Sequence, residues 1–264
     1  MLLVLLGVVV LAIGPTSSSP RQAYAGAPVL TPPAALQTFP HKGTSFTQGL
    51  VFQDNVFWES TGLYGRSSIS KRRVATGEIL AELPLPPDRF GEGLALMHGR
   101  LIQLTWKSRT GFVYSPAPLR RIGRVAYSTE GWGLAALGTQ LVMSDGSAAL
   151  TIRDRRFQLT KRIEVRDGTR EVKSLNELEV IQGRIWANVW PSDRIAIIRP
   201  SSGRVEAWLD CSGLRRRFPK LQKADVLNGI AFDPEHKRVF VTGKFWPLVV
   251  AFSLDALELP SRPP

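Results

Sequence analysis

FTQGL (46–50), FGEGL (90–94), EGWGL (130–134), SLNEL (174–178) and VLNGI (226–230) are five versions of one short phrase, and their recurrence decides the fold. Within each, a polar or aromatic residue and then, in four of the five, a glycine introduce an apolar strand. The positions Gly49, Gly93, Gly133, Glu177 and Gly229 are spaced 44, 40, 44 and 52 residues apart. Each phrase runs into a strand, a tight polar turn and a second strand, as in LVFQDNVFWES and LEVIQGRIWANVW. The turns Asp54-Asn55, His98-Gly99, Gly138-Thr139, Gln182-Gly183 and Pro234 to Lys237 suit hairpins. A further strand pair follows, most clearly in IAIIRPSSGRVEAWL (195–209), which gives four strands per unit. Repeats of this length, with several short strands and no helical period, predict an all-β, five-bladed β-propeller rather than an open sandwich.

The last unit supplies only three strands before the chain runs out after PLVVAFSL (247–254). The segment PVLTPPAALQTF (28–39) is predicted to add the missing outer strand, so that an N-terminal strand closes the ring and removes an exposed sheet edge. Residues 26–264 are thus expected to form a single propeller domain. Ahead of it, MLLVLLGVVVLAIG is too short an apolar run to span a bilayer, and Ala23-Tyr24-Ala25 has the small-x-small spacing of a cleavage site. Residues 1–25 are read as a signal peptide, which makes the product an exported protein, periplasmic or secreted, with no stable membrane anchor.

A single cysteine, Cys211, excludes an intramolecular disulfide and a cysteine-rich zinc site. The net charge of +12 admits anionic partners, but the densest basic run, LRRRFPKLQK (214–223), lacks the aromatic spacing of a single-strand groove. It is read as a solvated face, and no nucleic-acid partner is expected.

In a propeller the first strand of each blade lines the central channel, so the residue just before it stands at the channel mouth. Those residues are Gln48, Glu92, Trp132, Asn176 and Asn228. The antiparallel second strand ends beside that start, which adds Glu59, Trp106, Asp145, Trp190 and Lys244 to the expected mouth. The result is an aromatic-walled polar pocket. It contains no activated nucleophile, and His41, His98 and His236 have no ligand spacing. A carboxylate among indoles remains: Glu92 beside Trp106 and Trp132 would be desolvated, its pKa raised, and so fit to accept and return a proton. Asn176, Gln48, the indole N–H groups and Lys244 are candidate donors to an oxyanion. Glu177, in the glycine position of the fourth phrase, is read as a structural hydrogen-bond acceptor.

Block by block, TFPHKGTSFTQGLVF, STGLYGRSSI, FGEGLALMHGRLIQLTWKSRTGFVY, TEGWGLAALGTQLVMSDGS, SLNELEVIQGRIWANVW and VLNGIAFDPEHKRVFVTGKFWP resemble the plant and bacterial glutaminyl-peptide cyclotransferases. The resemblance implies a five-bladed propeller that converts the N-terminal glutamine of peptides or proteins to pyroglutamate with release of ammonia. It also implies Glu92 as acid/base, Gln48, Asn176 and Lys244 as polar substrate contacts, and Trp106, Trp132 and Trp190 as aromatic walls. No cofactor and no metal are expected, and a monomer suffices. Two rival readings remain open: a non-catalytic propeller that binds peptide or glycan, and a lactonase-like hydrolase with a divalent metal held by Glu92, Glu59, Asp145, Asn176 and Asn228.

Overall fold

A computed structural model describes residues 26–261. The signal peptide expected at 1–25 lies outside the described residues. Two short strands come first, β1 (Val29–Leu30) and β2 (Gln37–Pro40). Blade 1 is β3 (Thr47–Gln53), β4 (Val56–Thr61), β5 (Ser68–Arg73) and β6 (Ile79–Pro84), and blade 2 is β7 (Gly91–Met97), β8 (Arg100–Thr105), β9 (Thr110–Pro116) and β10 (Leu119–Ala126). Blade 3 is β11 (Leu134–Leu137), β12 (Gln140–Ser144), β13 (Ala149–Arg153) and β14 (Leu159–Glu164), after which β15 (Arg166–Asp167) and β16 (Arg170–Glu171) form a small hairpin. Blade 4 is β17 (Leu175–Ile181), β18 (Arg184–Val189), β19 (Arg194–Ile198) and β20 (Val205–Asp210). A short α-helix, α1 (Gly213–Arg217), leads to the last blade, β21 (Leu227–Asp233), β22 (Arg238–Gly243) and β23 (Leu248–Ser253).

The fifth blade is completed by β2, which pairs antiparallel with β23 from Gln37↔Ala251 to Pro40↔Leu248, as the three-strand count predicts. Upstream of it, β1 adds parallel to β20 on the outer edge of blade 4, a contact the sequence reading does not contain. Each hairpin between the first two strands turns on the residues expected. Asp54 and Asn55, His98 and Gly99, and Gln182 and Gly183 all have positive φ, which the two-residue type I′ turn requires at both positions. The apolar cores lie between blades, where inward residues of one sheet meet those of the next; Trp186, Ile195, Val239 and Trp246, fully buried, join blades 4 and 5 in this way.

Neighbouring blades approach closely at the repeated phrase. A Cβ on Gly49 would lie 2.5 Å from the Leu94 amide nitrogen, and one on Gly93 2.5 Å from that of Leu134, so only glycine lets the blade starts converge. Glu177 takes the other solution. Its carboxylate accepts the Leu50 N–H at 3.2 Å and the Ile230 N–H at 2.9 Å, tying blade 4 to blades 1 and 5 across the channel. Burial, reinforced by the Glu179 carboxylate, pushes the Glu177 pKa well up.

Candidate active site

At the end of the channel where the repeated phrases meet, a cavity of about 610 Å³ is lined by Gln48, Glu92, Trp106, Trp132, Asn176, Trp190 and Lys244. These are the seven expected catalytic and substrate-contact residues, and one concavity brings them together. Phe46, Phe90, Pro191, Asp225 and Val226 complete the lining.

Three of the other positions expected at the mouth are placed elsewhere. Asn228 is one layer back, where its amide donates to Gln48 Oε1 at 2.8 Å and to the Thr47 carbonyl at 3.0 Å. Asp145 is spent on a turn, accepting from the Ser147 N–H and hydroxyl. Glu59 is fully buried beneath the site, held by Arg72 Nε at 2.7 Å, His41 Nε2 at 3.0 Å and the Thr47 hydroxyl at 2.8 Å. Those partners hold its pKa down at about 2 against the cost of burial. For Asp145, which directly follows the second strand of blade 3, the reason is the Ser147 turn that engages its carboxylate; for Glu59 it is register. Trp106, Trp190 and Lys244 each directly follow the last residue of a second strand, whereas β4 runs on to Thr61, so the equivalent position in blade 1 is Gly62. Gly62 packs against Phe90, with no space for a side chain.

Glu92 is 4% exposed and is the centre of the arrangement. A directed chain of amides reaches it: Asn228 donates to Gln48, and Gln48 Nε2 donates to Glu92 Oε1 at 2.9 Å. The second oxygen, Oε2, is buried with no hydrogen-bond partner in the protein. Its backbone is fixed as well, because the Glu92 carbonyl accepts from the Ser60 hydroxyl, which in turn accepts from Gln103 Nε2 at 2.8 Å. Burial pushes the Glu92 pKa well above the usual carboxyl value; the Glu130 charge adds to the rise, while Lys244 and the Gln48 hydrogen bond oppose it. Lys244 is itself pushed down by burial and pulled back by Glu92. Its ammonium sits 4.6 Å from the centre of the Phe46 ring.

The aromatic wall has an organiser that the sequence reading missed. Glu130 Oε2 accepts the indole N–H of Trp106 at 2.7 Å and that of Trp132 at 3.0 Å. Both N–H groups are therefore committed and do not serve as oxyanion donors, contrary to the expectation above. Trp132 meets Trp190 edge-on at 6.2 Å between ring centres, and Phe90 meets Trp106 at 5.6 Å. Trp190 remains 44% exposed at the entrance.

A signal for the missed residues was present in the phrases themselves. Two residues before each mouth residue stand Phe46, Phe90, Glu130, Ser174 and Val226. In four blades that residue's carbonyl accepts the N–H of the residue that follows the second strand: Gly62 to Phe46, Trp106 to Phe90, Trp190 to Ser174 and Lys244 to Val226. An interval of two keeps residues on the same face of an extended chain, so the position two before the mouth builds its side wall. Asp225 precedes Val226 in the loop, and no such periodicity announces it.

His98 lies exposed in its turn, and His236 is bonded to Asp233 in the Pro234 to Lys237 turn. Among the described residues there is no group of three or more His, Cys, Asp or Glu side chains placed to hold a metal ion, and no helix long and apolar enough to cross a membrane.

Comparison with known proteins places this geometry in a known setting. The family model for glutamine cyclotransferase matches residues 7–254. A curated glutaminyl-peptide cyclotransferase of Arabidopsis thaliana is 43% identical over 224 residues, which span 82% of this chain and 69% of the relative. The crystal structure of Myxococcus xanthus glutaminyl cyclase superposes with a TM-score of 0.80 at 33% identity, covering 89% of this chain and 100% of that one.

Proposed function

The chain belongs to the glutamine cyclotransferase family and is a glutaminyl-peptide cyclotransferase, and we propose that Glu92 carries out its proton transfers on peptides that begin with glutamine. The observation that carries this reading is the pair of unequal oxygens on Glu92: Oε1 is held by Gln48, while Oε2 is buried in the pocket wall with no partner. A non-catalytic peptide binder has no use for such a group, since a buried unpartnered carboxylate costs stability.

A peptide α-amine has a pKa of about 7.7 to 8.0 and must shed a proton before it can act as a nucleophile. Glu92 Oε2 takes that proton. The amine nitrogen then bonds to the side-chain carboxamide carbon, closing a five-membered ring and placing negative charge on the carboxamide oxygen. Lys244, Asn176 and the Trp190 indole N–H are the donors left for that oxygen, because the Trp106 and Trp132 N–H groups are engaged by Glu130 and the Gln48 amide by Glu92. Glu92 returns the proton to the departing nitrogen, the carbon–nitrogen bond breaks, and ammonia leaves; the ring nitrogen sheds its remaining extra proton through the same carboxylate. The raised pKa of Glu92 brings donor and acceptor closer in proton affinity, which favours transfer in both directions. Trp106, Trp132, Trp190 and Phe90 confine the glutamine side chain in the folded shape that cyclisation needs, and such orientation is a large part of an intramolecular rate enhancement. All of these groups come from one chain, so a monomer is sufficient.

The test is ammonia release from a short peptide with N-terminal glutamine, using the wild type and Glu92→Gln side by side, with and without EDTA. Turnover is expected to survive EDTA and to fall by about 10² to 10⁴ in the variant, while the variant still folds and binds peptide. Near-wild-type turnover in Glu92→Gln would overturn the assignment.

A further inference from the structure

The basic run singled out in the sequence is largely spent on structure: Arg215 forks onto Asp193 at 2.6 and 3.1 Å and bonds three backbone carbonyls, and Arg217 bonds the carbonyls of Pro33 and Ala34. Unpaired positive charge gathers elsewhere. Between blades 2 and 3 a groove of about 970 Å³ is lined by Arg100, Arg120, Arg121, Arg124, Arg155 and Arg156. All six are exposed, and among the described residues none forms an ion pair. The nearby Asp154 is occupied by the backbone N–H groups of Arg156 and Gln158. No carboxylate lines the groove, its floor is formed by Ile102, Val113 and Phe157, and Ile122 stands 40% exposed on its rim.

We infer that this groove is a docking site for the phosphate-bearing surface of an anionic lipid bilayer. Guanidinium forks match phosphate oxygens, and no lysine takes part. Aliphatic floor and rim residues suit a ligand whose anionic groups adjoin hydrocarbon. The only exposed ring lining the groove is the His98 imidazole, since Phe157 is buried and Phe112 is covered by Arg121 at 4.9 Å, so a nucleic-acid strand, which needs a succession of stacking rings, is the poorer match. Orientation agrees with the site already described. Arg100, Arg120 and Arg155–Arg156 sit at the β7–β8, β9–β10 and β13–β14 turns, at the opposite end of the strands from the repeated phrases, so a docked molecule holds its pocket mouth away from the membrane.

The experiment is co-sedimentation of the full chain with vesicles of phosphatidylglycerol and phosphatidylcholine, against pure phosphatidylcholine. Binding is expected only to the anionic vesicles, and it should weaken as salt rises from about 50 mM to about 500 mM. The Arg121→Glu/Arg156→Glu variant should lose at least about 30-fold in vesicle affinity while keeping wild-type turnover of a glutaminyl peptide, which also shows that it is folded. Lys220→Glu/Lys223→Glu, the same charge change on the other basic segment, should bind vesicles like the wild type. No vesicle binding by the wild type would overturn the inference, as would an equal loss in both variants, which would reduce the effect to net charge. Groove-dependent binding of soluble polyphosphate without vesicle binding would overturn it in favour of a free polyanion.

Discussion

Glu92 feels two charges of opposite sign, and each can be removed without dismantling the pocket. Glu130 raises its pKa and Lys244 lowers it. In the mechanism above, kcat/KM falls on the acid side as free Glu92 becomes protonated and on the alkaline side as the substrate ammonium titrates. Glu130→Gln removes a negative charge but keeps an oxygen for the two indole N–H groups, so its acid limb should move to lower pH. Lys244→Met removes a positive charge and should move that limb to higher pH. The alkaline limb belongs to the substrate and should stay fixed in both pH–rate profiles; shifts of the same sign would disprove the assignment. Burial of Glu92 also predicts a stability effect. Because its folded pKa is raised, the neutral carboxyl suits the folded state, and stability is lost as pH rises from the unfolded value through the folded one. Glu92→Gln should therefore melt above the wild type at pH 8, with the difference closing toward pH 4, as thermal denaturation at both values will show. Gln48, Glu92, Trp132 and Asn176 were legible in the sequence because a repeat assigns equivalent residues to one rim. The repeat also marks the place of Glu130, two residues before Trp132, but its role depends on which way two indoles turn, and that is settled by packing.

The strand pair is the unit that places these side chains, and its accuracy depends on how tightly one blade start abuts the next. Gly93 directly follows Glu92, and any Cβ there meets the backbone of blade 3 at Leu134. Gly93→Ala should cost about 1 to 3 kcal/mol, the usual range for overpacking a close contact, and should also depress turnover by shifting Glu92. Gly123→Ala makes the comparison fair. It lies at the β9–β10 bulge with no Val113 atom nearer than 3.7 Å and an ordinary φ, so its urea midpoint and turnover should match the wild type. The strands of the five blades were readable from alternation and turn chemistry, since positive-φ pairs such as His98-Gly99 leave a strong local mark. Strand ends were less so. Glu59 was placed at the mouth because β4 was ended early, and the extra residues of β4 are fixed by pairing with β5 through Thr61↔Ser68, which no local pattern encodes.

Ring closure joins the two ends of the chain, and it does so in two steps of unequal weight. The N-terminal segment first lies along blade 4, where Ala27 donates to Asp167, Trp208 donates its amide to the Pro28 carbonyl, and Val29 and Leu30 pair with Trp208 and Leu209. It then crosses to blade 5, where β2 pairs with Leu248 to Ala251 on the outer edge of β23 and Phe39 packs on Phe240 at 5.8 Å. The second step was predictable, because a blade with three strands leaves an unpaired edge that the chain must cover. The first was not, because two residues of parallel pairing carry no recognisable period. A variant that starts at residue 32 loses only β1 and its contacts, and should fold cooperatively with a modestly lower melting temperature and wild-type turnover. A variant that starts at residue 41 loses β2 as well and leaves β23 bare beside the strand that ends at Gly243, one residue before Lys244. That second variant should melt far lower, associate through its open edge in sedimentation velocity, and lose turnover, because the blade that holds Lys244 and Asn228 is no longer clamped to the ring. Equal stability of the two variants would show that inter-blade packing alone holds the circle closed, and that the terminal strand adds only local order.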